Sequence, residues 1–399
     1  MNHIKALILL LFICATLNGE PLDISVEAES ALLINADTGA ILYEKNPKAI
    51  LCPASITKLA TALYVLKVAS NDLATKITAE QDALAWISEE GKRKSNHSGP
   101  AYWLEPGGTH MGIKKGEELT LKDLLYGLMV ASANDAANVI AQHVAGTVPK
   151  FMIGLNKYLK EIGCQNTTFY NPHGLYHPKH QTTAHDMALI MRVGLKDPLF
   201  RELIATKQYT RPKTNKQESS VLVQNNRLIR KGKYFYAKAI GGKTGYISAA
   251  GHTIVAVAQQ DDRTLIAVLL KTKERNQMFL DAVTMFEAAF NQPKVERLLL
   301  KEGPQKFALE LPGQSAPIAT YLKENVSIEY YPAEEPKIKC FLYWTAKELP
   351  IKEDQVVGEL HLKTEEGKIM RKVSLYAQDE VHSSWFKRVF GFCNQRLLQ

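Results

Sequence analysis

Three short motifs occur in this chain in one order: Ser55-Ile56-Thr57-Lys58, Ser132-Ala133-Asn134 and Lys243-Thr244-Gly245. Serine is a weak nucleophile at its free pKa and needs a base within hydrogen-bond reach. The i, i+3 spacing of Ser55 and Lys58 supplies one, because side chains three apart share a face of a helix. Pro53 and Ala54 before Ser55, with Leu59, Ala60, Ala62, Leu63 and Leu66 after it, put the serine at a helix N-terminus. There the helix dipole and burial both disfavour an ammonium, so Lys58 can be neutral and act as base. The implied chemistry is acyl transfer through a serine. A Ser-x-x-Lys pattern alone arises by chance about once in a few hundred residues, and Ser384-Trp385-Phe386-Lys387 is a second copy. The weight lies in the ordered set.

The other two motifs supply what such a serine lacks. Ser132 can pass a proton between Lys58 and a leaving amine while the Asn134 amide holds a substrate backbone. Ser132 could instead be a helix N-cap, with Asp135 then favourable at the positive end of the dipole. Lys243-Thr244-Gly245 follows Gly241-Gly242, and glycine lets a second backbone approach closely, as at a strand edge that takes up an extended peptide. Lys243 and Thr244 then present a cation and a hydroxyl to a terminal carboxylate. A backbone oxyanion hole is expected close to Ser55 and this strand.

Two rival chemistries have their own residues. His173, His177, His180 and His185 crowd together with Asp186, as zinc ligands can. Pro172, Gly174 and Pro178 make that segment irregular, so no helical face aligns them, and Thr182-Thr183 before Ala184 is a helix start. Cys52, three residues before Ser55, is a conceivable thiol nucleophile, but Leu51 and Pro53 around it favour a small buried apolar role.

The elements that must position these residues can be read coarsely. Residues 29–35 and 40–44 are apolar runs around the turn Ala36-Asp37-Thr38-Gly39, which predicts a β-hairpin. A second hairpin is predicted from 252–258 and 264–270, joined by polar 259–263. Helical periodicity marks 121–130, 134–144 and 282–290. The stretch 22–290 therefore reads as a mixed α/β domain. After Asn291-Gln292-Pro293, short alternating runs at 307–311, 338–344, 356–362 and 373–376 predict a small all-β domain over 293–380.

The ends differ from both. Lys5, apolar 6–15 and the breakers Asn18, Gly19 and Pro21 predict a signal peptide over 1–19, too short to span a bilayer comfortably. In the tail, 381–399, Trp385, Phe386, Val389, Phe390, Phe392 and Cys393 share one helical face opposite Lys387, Arg388, Asn394 and Gln395, the pattern of an interfacial helix on a bilayer surface. The 399 residues carry a net charge of +8 spread along the chain, with no nucleic-acid motif. Five scattered cysteines in a chain of this length do not make a disulfide scaffold.

Pro53-Ala54-Ser55-Ile56-Thr57-Lys58, Ser132-Ala133-Asn134-Asp135-Ala136, Asn171-Pro172-His173-Gly174-Leu175 and Gly242-Lys243-Thr244-Gly245-Tyr246 together resemble the serine-type D-alanyl-D-alanine carboxypeptidases, the low-molecular-mass penicillin-binding proteins. Thr182-Thr183-Ala184-His185-Asp186 looks like a segment of the same family, which gives the histidine cluster a non-metal role. The resemblance covers nearly the whole chain, and the segment 95–110 is atypical for it. It implies a β-lactamase/transpeptidase-like catalytic domain, an antiparallel sheet flanked by helices, followed by the all-β domain and an amphipathic C-terminal helix. It implies Ser55 as acylated nucleophile, Lys58 as base, Ser132 and Asn134 as the second element, and Lys243 and Thr244 on the substrate carboxylate. Gly245 and Tyr246 complete the substrate strand, with the N–H groups of Ser55 and Tyr246 as oxyanion hole. The implied reaction removes the terminal D-alanine from peptidoglycan stem peptides, with β-lactam antibiotics as covalent inhibitors and no cofactor or metal. The implied location is the bacterial cell envelope, on the periplasmic face of the inner membrane. A DD-endopeptidase uses the same residues. A class A β-lactamase normally carries Glu-x-x-Leu-Asn between the second and third motifs, and Glu161-Ile162-Gly163-Cys164-Gln165 does not fit it. An envelope scaffold without activity is the non-enzymatic alternative.

Overall fold

A computed structural model of the chain describes residues 22–70, 73–314, 316–365 and 367–383. The predicted signal peptide and the tail from Ser384 onward lie outside the described residues, as do Cys14 and Cys393. Two compact units divide the chain at Asn291.

The larger unit begins with β1 (Ser30–Asn35) and β2 (Ile41–Lys45), the predicted N-terminal hairpin. A 3-10 turn at Ala54–Ile56 leads into α1 (Thr57–Ala69), followed by β3 (Lys76–Thr78), α2 (Glu89–Lys94) and β4 (Glu118–Thr120). Next come α3 (Leu121–Tyr126), α4 (Asn134–Ala145), α5 (Val148–Glu161), α6 (Ala184–Gly194) and α7 (Pro198–Ala205). The pair β5 (Gln208–Arg211) and β6 (Ser220–Val223) precedes β7 (Ala239–Ile247), β8 (Gly251–Gln260) and β9 (Arg263–Thr272), and α8 (Arg275–Phe290) closes the unit.

Five of these strands form one antiparallel sheet in the order β2-β1-β9-β8-β7, so β7 is an edge strand. Alternate residues of a strand face opposite sides of the sheet. Leu32, Ile34, Val255, Val257, Ile266 and Val268 join the helical core built around α1, α4, α5 and α6, while α8 packs on β8 and β9 from the other side. Both faces are covered, which is why β1 is buried at every position and is apolar from Ala31 to Ile34 without alternation. Buried α1 has almost no polar face: ten of its residues, Lys58 among them, are inside. The mixed α/β architecture with an antiparallel sheet agrees with the expectation from sequence.

The helix starts follow their caps. Thr120, Thr147, Thr183 and Asp197 each accept a hydrogen bond from a backbone N–H of the first turn of α3, α5, α6 and α7. The periodic run 121–130 is less regular than its pattern implies. After Tyr126 it widens into a π turn over Gly127–Ala131 and stops at Ser132, whose backbone is left-handed with φ 62° and ψ 31°. Helix α4 then restarts at Asn134.

The smaller unit is β-rich. Strands β10 (Val295–Leu300) and β13 (Val326–Tyr330) form a pair, and β11 (Gly303–Leu309), β12 (Ile318–Leu322), β14 (Ile338–Trp344), β15 (Val356–Thr364) and β16 (Ile369–Ala377) form an antiparallel sheet in the order β11-β12-β16-β15-β14. Its main core gathers Phe307, Leu322, Leu342, Leu360, Leu362 and Leu375. Among the described residues no helix is long and apolar enough to cross a membrane.

Candidate active site

Ser55 sits in the 3-10 turn that enters α1, and Lys58 one turn on brings Nζ to 3.0 Å from Ser55 Oγ. Lys58 Nζ also lies 2.7 Å from Asn134 Oδ1 and 2.7 Å from the carbonyl of His173. The side chain is wholly buried, and its pKa lies well below the ordinary lysine value because of burial and then the charge of Lys243, with Asp135 opposing. A neutral amine has two N–H donors and one lone pair. Asn134 Oδ1 and the His173 carbonyl can only accept, so each takes an N–H of Lys58, and in the neutral form the lone pair is what remains for the Ser55 hydroxyl, whereas the charged form donates to it.

The backbone that carries Ser55 is held from two sides. Ala54 has φ 52°, in the left-handed region, a conformation that costs roughly 1–3 kcal/mol and persists only where its surroundings over-determine it. They do so through two glycines from distant segments. A Cβ on Gly174 would stand 2.0 Å from the Ala54 carbonyl oxygen, and a Cβ on Gly245 2.7 Å from the Ser55 nitrogen. Thr57 Oγ1 donates to the Ala54 carbonyl at 2.8 Å and lies 2.9 Å from His180 Nε2, while His180 Nδ1 accepts from the Tyr170 N–H. With the threonine proton used on Ala54, His180 is the Nε2–H tautomer, and burial first and then neighbouring positive charge push its pKa down to about 3.

His173 is equally committed. Its Nε2 lies 3.0 Å from the Tyr102 carbonyl and its Nδ1 accepts from the Leu175 N–H, so it too is neutral, with its pKa held well down by burial and then by Lys58. The two buried members of the histidine cluster thus brace the loop that carries Ser55. His177 stacks on Tyr170, and Asp186 accepts from the Thr167 hydroxyl and the Asn166 N–H. Cys52 donates its thiol toward the His180 carbonyl, and burial pushes its pKa up to about 11, so it is not a thiolate near neutral pH.

The second and third motifs are joined to each other. Lys243, 1% exposed and lowered to about pKa 7 by burial, donates at 2.8 Å to Ser132 Oγ and at 2.8 Å to the Thr244 carbonyl. Among the described residues Ser132 has no direct hydrogen bond to Lys58. Lys243 lies behind the cleft wall, and Thr244, Gly245 and Tyr246 of β7 form that wall.

The cleft has a volume of about 360 Å³ and brings Ser55, Ser132, Asn134, Thr244, Gly245 and Tyr246 together. It also contains residues that sequence patterns did not single out. His252 stacks on Tyr246 with ring centroids 4.5 Å apart, and Arg275 opens α8 at the same cleft. Glu89, Glu105 and the turn Gly107–Thr109 form part of the opposing wall. No motif flags them, and they converge only through the fold.

A family model described as D-alanyl-D-alanine carboxypeptidase matches residues 16–274. The chain is 31% identical to the D-alanyl-D-alanine carboxypeptidase DacF of Bacillus subtilis, covering 92% of this chain and 90% of that protein. It is 27% identical to DacC of Escherichia coli K12 over 94% and 90% of the two chains. Among solved structures, DacD of Francisella tularensis superposes with a TM-score of 0.61 at 23% identity, over 92% of this chain and 96% of that one, a likeness of fold. A D-alanyl-D-alanine carboxypeptidase of Mycobacterium tuberculosis H37Rv gives 0.57 at 26% identity, over 69% and 94%.

Proposed function

The chain belongs to the D-alanyl-D-alanine carboxypeptidase family, and on that premise we propose that Ser55 attacks the peptide bond before a terminal D-alanine and carries the acyl group. The chain is a serine peptidase, and its substrates on this reading are peptidoglycan stem peptides. The observation that carries the assignment is the buried Lys58 amine, which lies 3.0 Å from Ser55 Oγ and is held at 2.7 Å by both Asn134 Oδ1 and the His173 carbonyl.

The steps follow from that arrangement. Lys58 takes the Ser55 proton as Oγ adds to the carbonyl carbon. The N–H groups of Ser55 and Tyr246 receive the oxyanion, and preorganised donors of this kind contribute the largest single share in many acyl transfers. Ser132, whose oxygen accepts from Lys243, hands its proton to the departing D-alanine amine and recovers the one that Lys58 took from Ser55, which returns that base to its neutral form. Water then attacks the acyl-enzyme, with Lys58 again as base.

Substrate lies against β7 as an added strand, its backbone held by the Asn134 amide and by Gly245. The terminal carboxylate meets the Thr244 hydroxyl and the Arg275 guanidinium in the cleft, with the Lys243 cation behind them. β-Lactams acylate the same serine.

Residues 22–290 are the catalytic domain of this proposal and 293–380 the accompanying β domain. Its place is the periplasmic face of the inner membrane, with residues 1–19 directing export and the apolar face at Trp385, Phe386, Val389 and Phe390 holding the tail to the bilayer. A purified chain incubated with a pentapeptide ending in D-Ala-D-Ala should release one D-alanine, read by mass. An unchanged pentapeptide, or release of a dipeptide, would refute the assignment.

A further inference from the structure

One ion pair stands beside the catalytic cleft and takes no part in the chemistry above. Lys92 of α2 and Glu105 are both 6% exposed, and their Nζ and Oε1 lie 2.8 Å apart. Lys92 Nζ also donates to the Trp103 carbonyl at 3.1 Å. Removing one partner of such a buried pair leaves an uncompensated charge, so the pair binds its two segments together more strongly than it favours folding as a whole.

What the pair pins is a turn. The Glu105 carbonyl accepts from the Gly108 N–H at 2.9 Å and lies 2.9 Å from His110 Nε2. Beyond it, the Thr109 carbonyl accepts from the Asn134 N–H at 2.8 Å, and Gly108 comes so near that a Cβ there would stand 2.6 Å from Asn134 Nδ2. The far end of the turn is fastened to the next residue of α4, since the Asp135 carboxylate accepts from the N–H groups of Met111, Gly112 and Ile113. Asn134 in turn fixes Lys58 through its Oδ1.

The geometry points to Lys92 and Glu105 as positioning residues: their ion pair seats the 105–110 turn against the Asn134 amide, which aims the Lys58 lone pair at Ser55. The inference rests on the proposed Ser55–Lys58 chemistry and adds to it a part for the segment 95–110. Displacing an amide that lies 2.7 Å from the base misaligns it, and misplacements of about 1 Å at a distance from the chemistry can cost about a hundredfold in rate.

The test is stopped-flow acylation of the full chain by a fluorescent penicillin, which separates the saturating rate constant from the half-saturating concentration. Lys92→Leu and Gly108→Ala should each lower the saturating rate constant about ten- to a hundredfold, with the half-saturating concentration changed less than about threefold, while Lys92→Arg, which keeps the cation, retains most of the rate. Gly108→Ala presses on Asn134 without leaving a buried charge, so it serves if Lys92→Leu does not fold. A folded variant of either kind that acylates at the wild-type rate overturns the positioning role while leaving Ser55 and Lys58 as they are. A wild-type chain that penicillin does not acylate overturns both.

Discussion

Lys243 Nζ and Ser132 Oγ are 2.8 Å apart and buried, so the second and third motifs form one hydrogen-bonded unit, while Lys58 is tied to Asn134 instead. The site holds two lysines on two separate duties. Lys58 lies against Ser55 Oγ, and Lys243, whose pKa burial lowers to about 7, lies against Ser132 Oγ.

Ser55→Ala should abolish covalent labelling by penicillin. Intact-mass measurement of wild type should show one adduct, mapped by peptide digestion to the segment containing Ser55. Labelling that survives in the variant, or that maps to Ser384, contradicts the assignment.

Replacing the base by a side chain that stays protonated separates charge from basicity. Lys58→Arg should lower the acylation rate constant about a hundred- to ten-thousandfold, because a guanidinium has no lone pair to offer. Circular dichroism confirms that the variant folds, and acylation near the wild-type rate would rule out Lys58 as base.

Gly245→Ala should place a methyl group 2.7 Å from the Ser55 nitrogen, obstructing one of the two oxyanion donors. Loss of one such donor costs about a hundred- to a thousandfold in rate. Gly174→Ala meets the Ala54 carbonyl from the other side and, with φ +94°, is expected to destabilise the fold as well, read as a fall in Tm. A Gly245→Ala enzyme with normal turnover would remove the oxyanion role from this part of β7.

Lys243 makes stability depend on pH. Its folded pKa, about 7, lies below its ordinary value of 10.5, so between those values the unfolded chain binds the proton that the folded chain has released. Stability therefore rises with pH across that window and its gain is lost as pH falls toward 7. Urea unfolding at pH 7 and pH 10 should show a rise in wild type that is smaller in Lys243→Met. Equal rises in the two proteins would assign the dependence to other groups.

A substrate whose terminal carboxylate is amidated should react more slowly than the free acid, and Arg275→Ala should narrow that difference, as should Thr244→Val. Comparable rates for acid and amide in wild type would place the specificity elsewhere. For the tail, truncation after Val381 should leave pentapeptide cleavage intact and abolish co-sedimentation with anionic vesicles. A truncated chain that still sediments with them would remove the tail as anchor.

Local chemistry was legible in the residues themselves. Ser55 and Lys58 need only one helical turn to meet, and the hairpin β8–β9 was visible because both strands are long, apolar and β-branched. Residues that act through tertiary approach were not. Arg275 begins a helix whose periodic signal lies further on, and Glu105 sits in an irregular segment whose partner, Lys92, belongs to a helix composed of Glu-Glu-Gly-Lys-Arg-Lys. Such a helix has no apolar stripe, so hydrophobic periodicity passes over it. The π turn before Ser132 was hidden for a different reason: the run 121–130 carries one helical pattern throughout, and periodicity does not distinguish an α turn from the single wider turn that ends at Ser132.

Because β7 closes the sheet and also forms the cleft wall, the protein keeps a row of strand hydrogen-bonding groups available for a peptide. An available row of that kind is also a template on which another copy of the chain could assemble, the usual hazard of an unpaired sheet margin. Gly241, Gly242 and Gly245 give this strand a poor surface for tight side-chain pairing, and the opposing wall at Gly107–Thr109 leaves a slot rather than a flat ledge. Residues that line the cleft with β7 therefore stand where a second copy of the strand would have to dock.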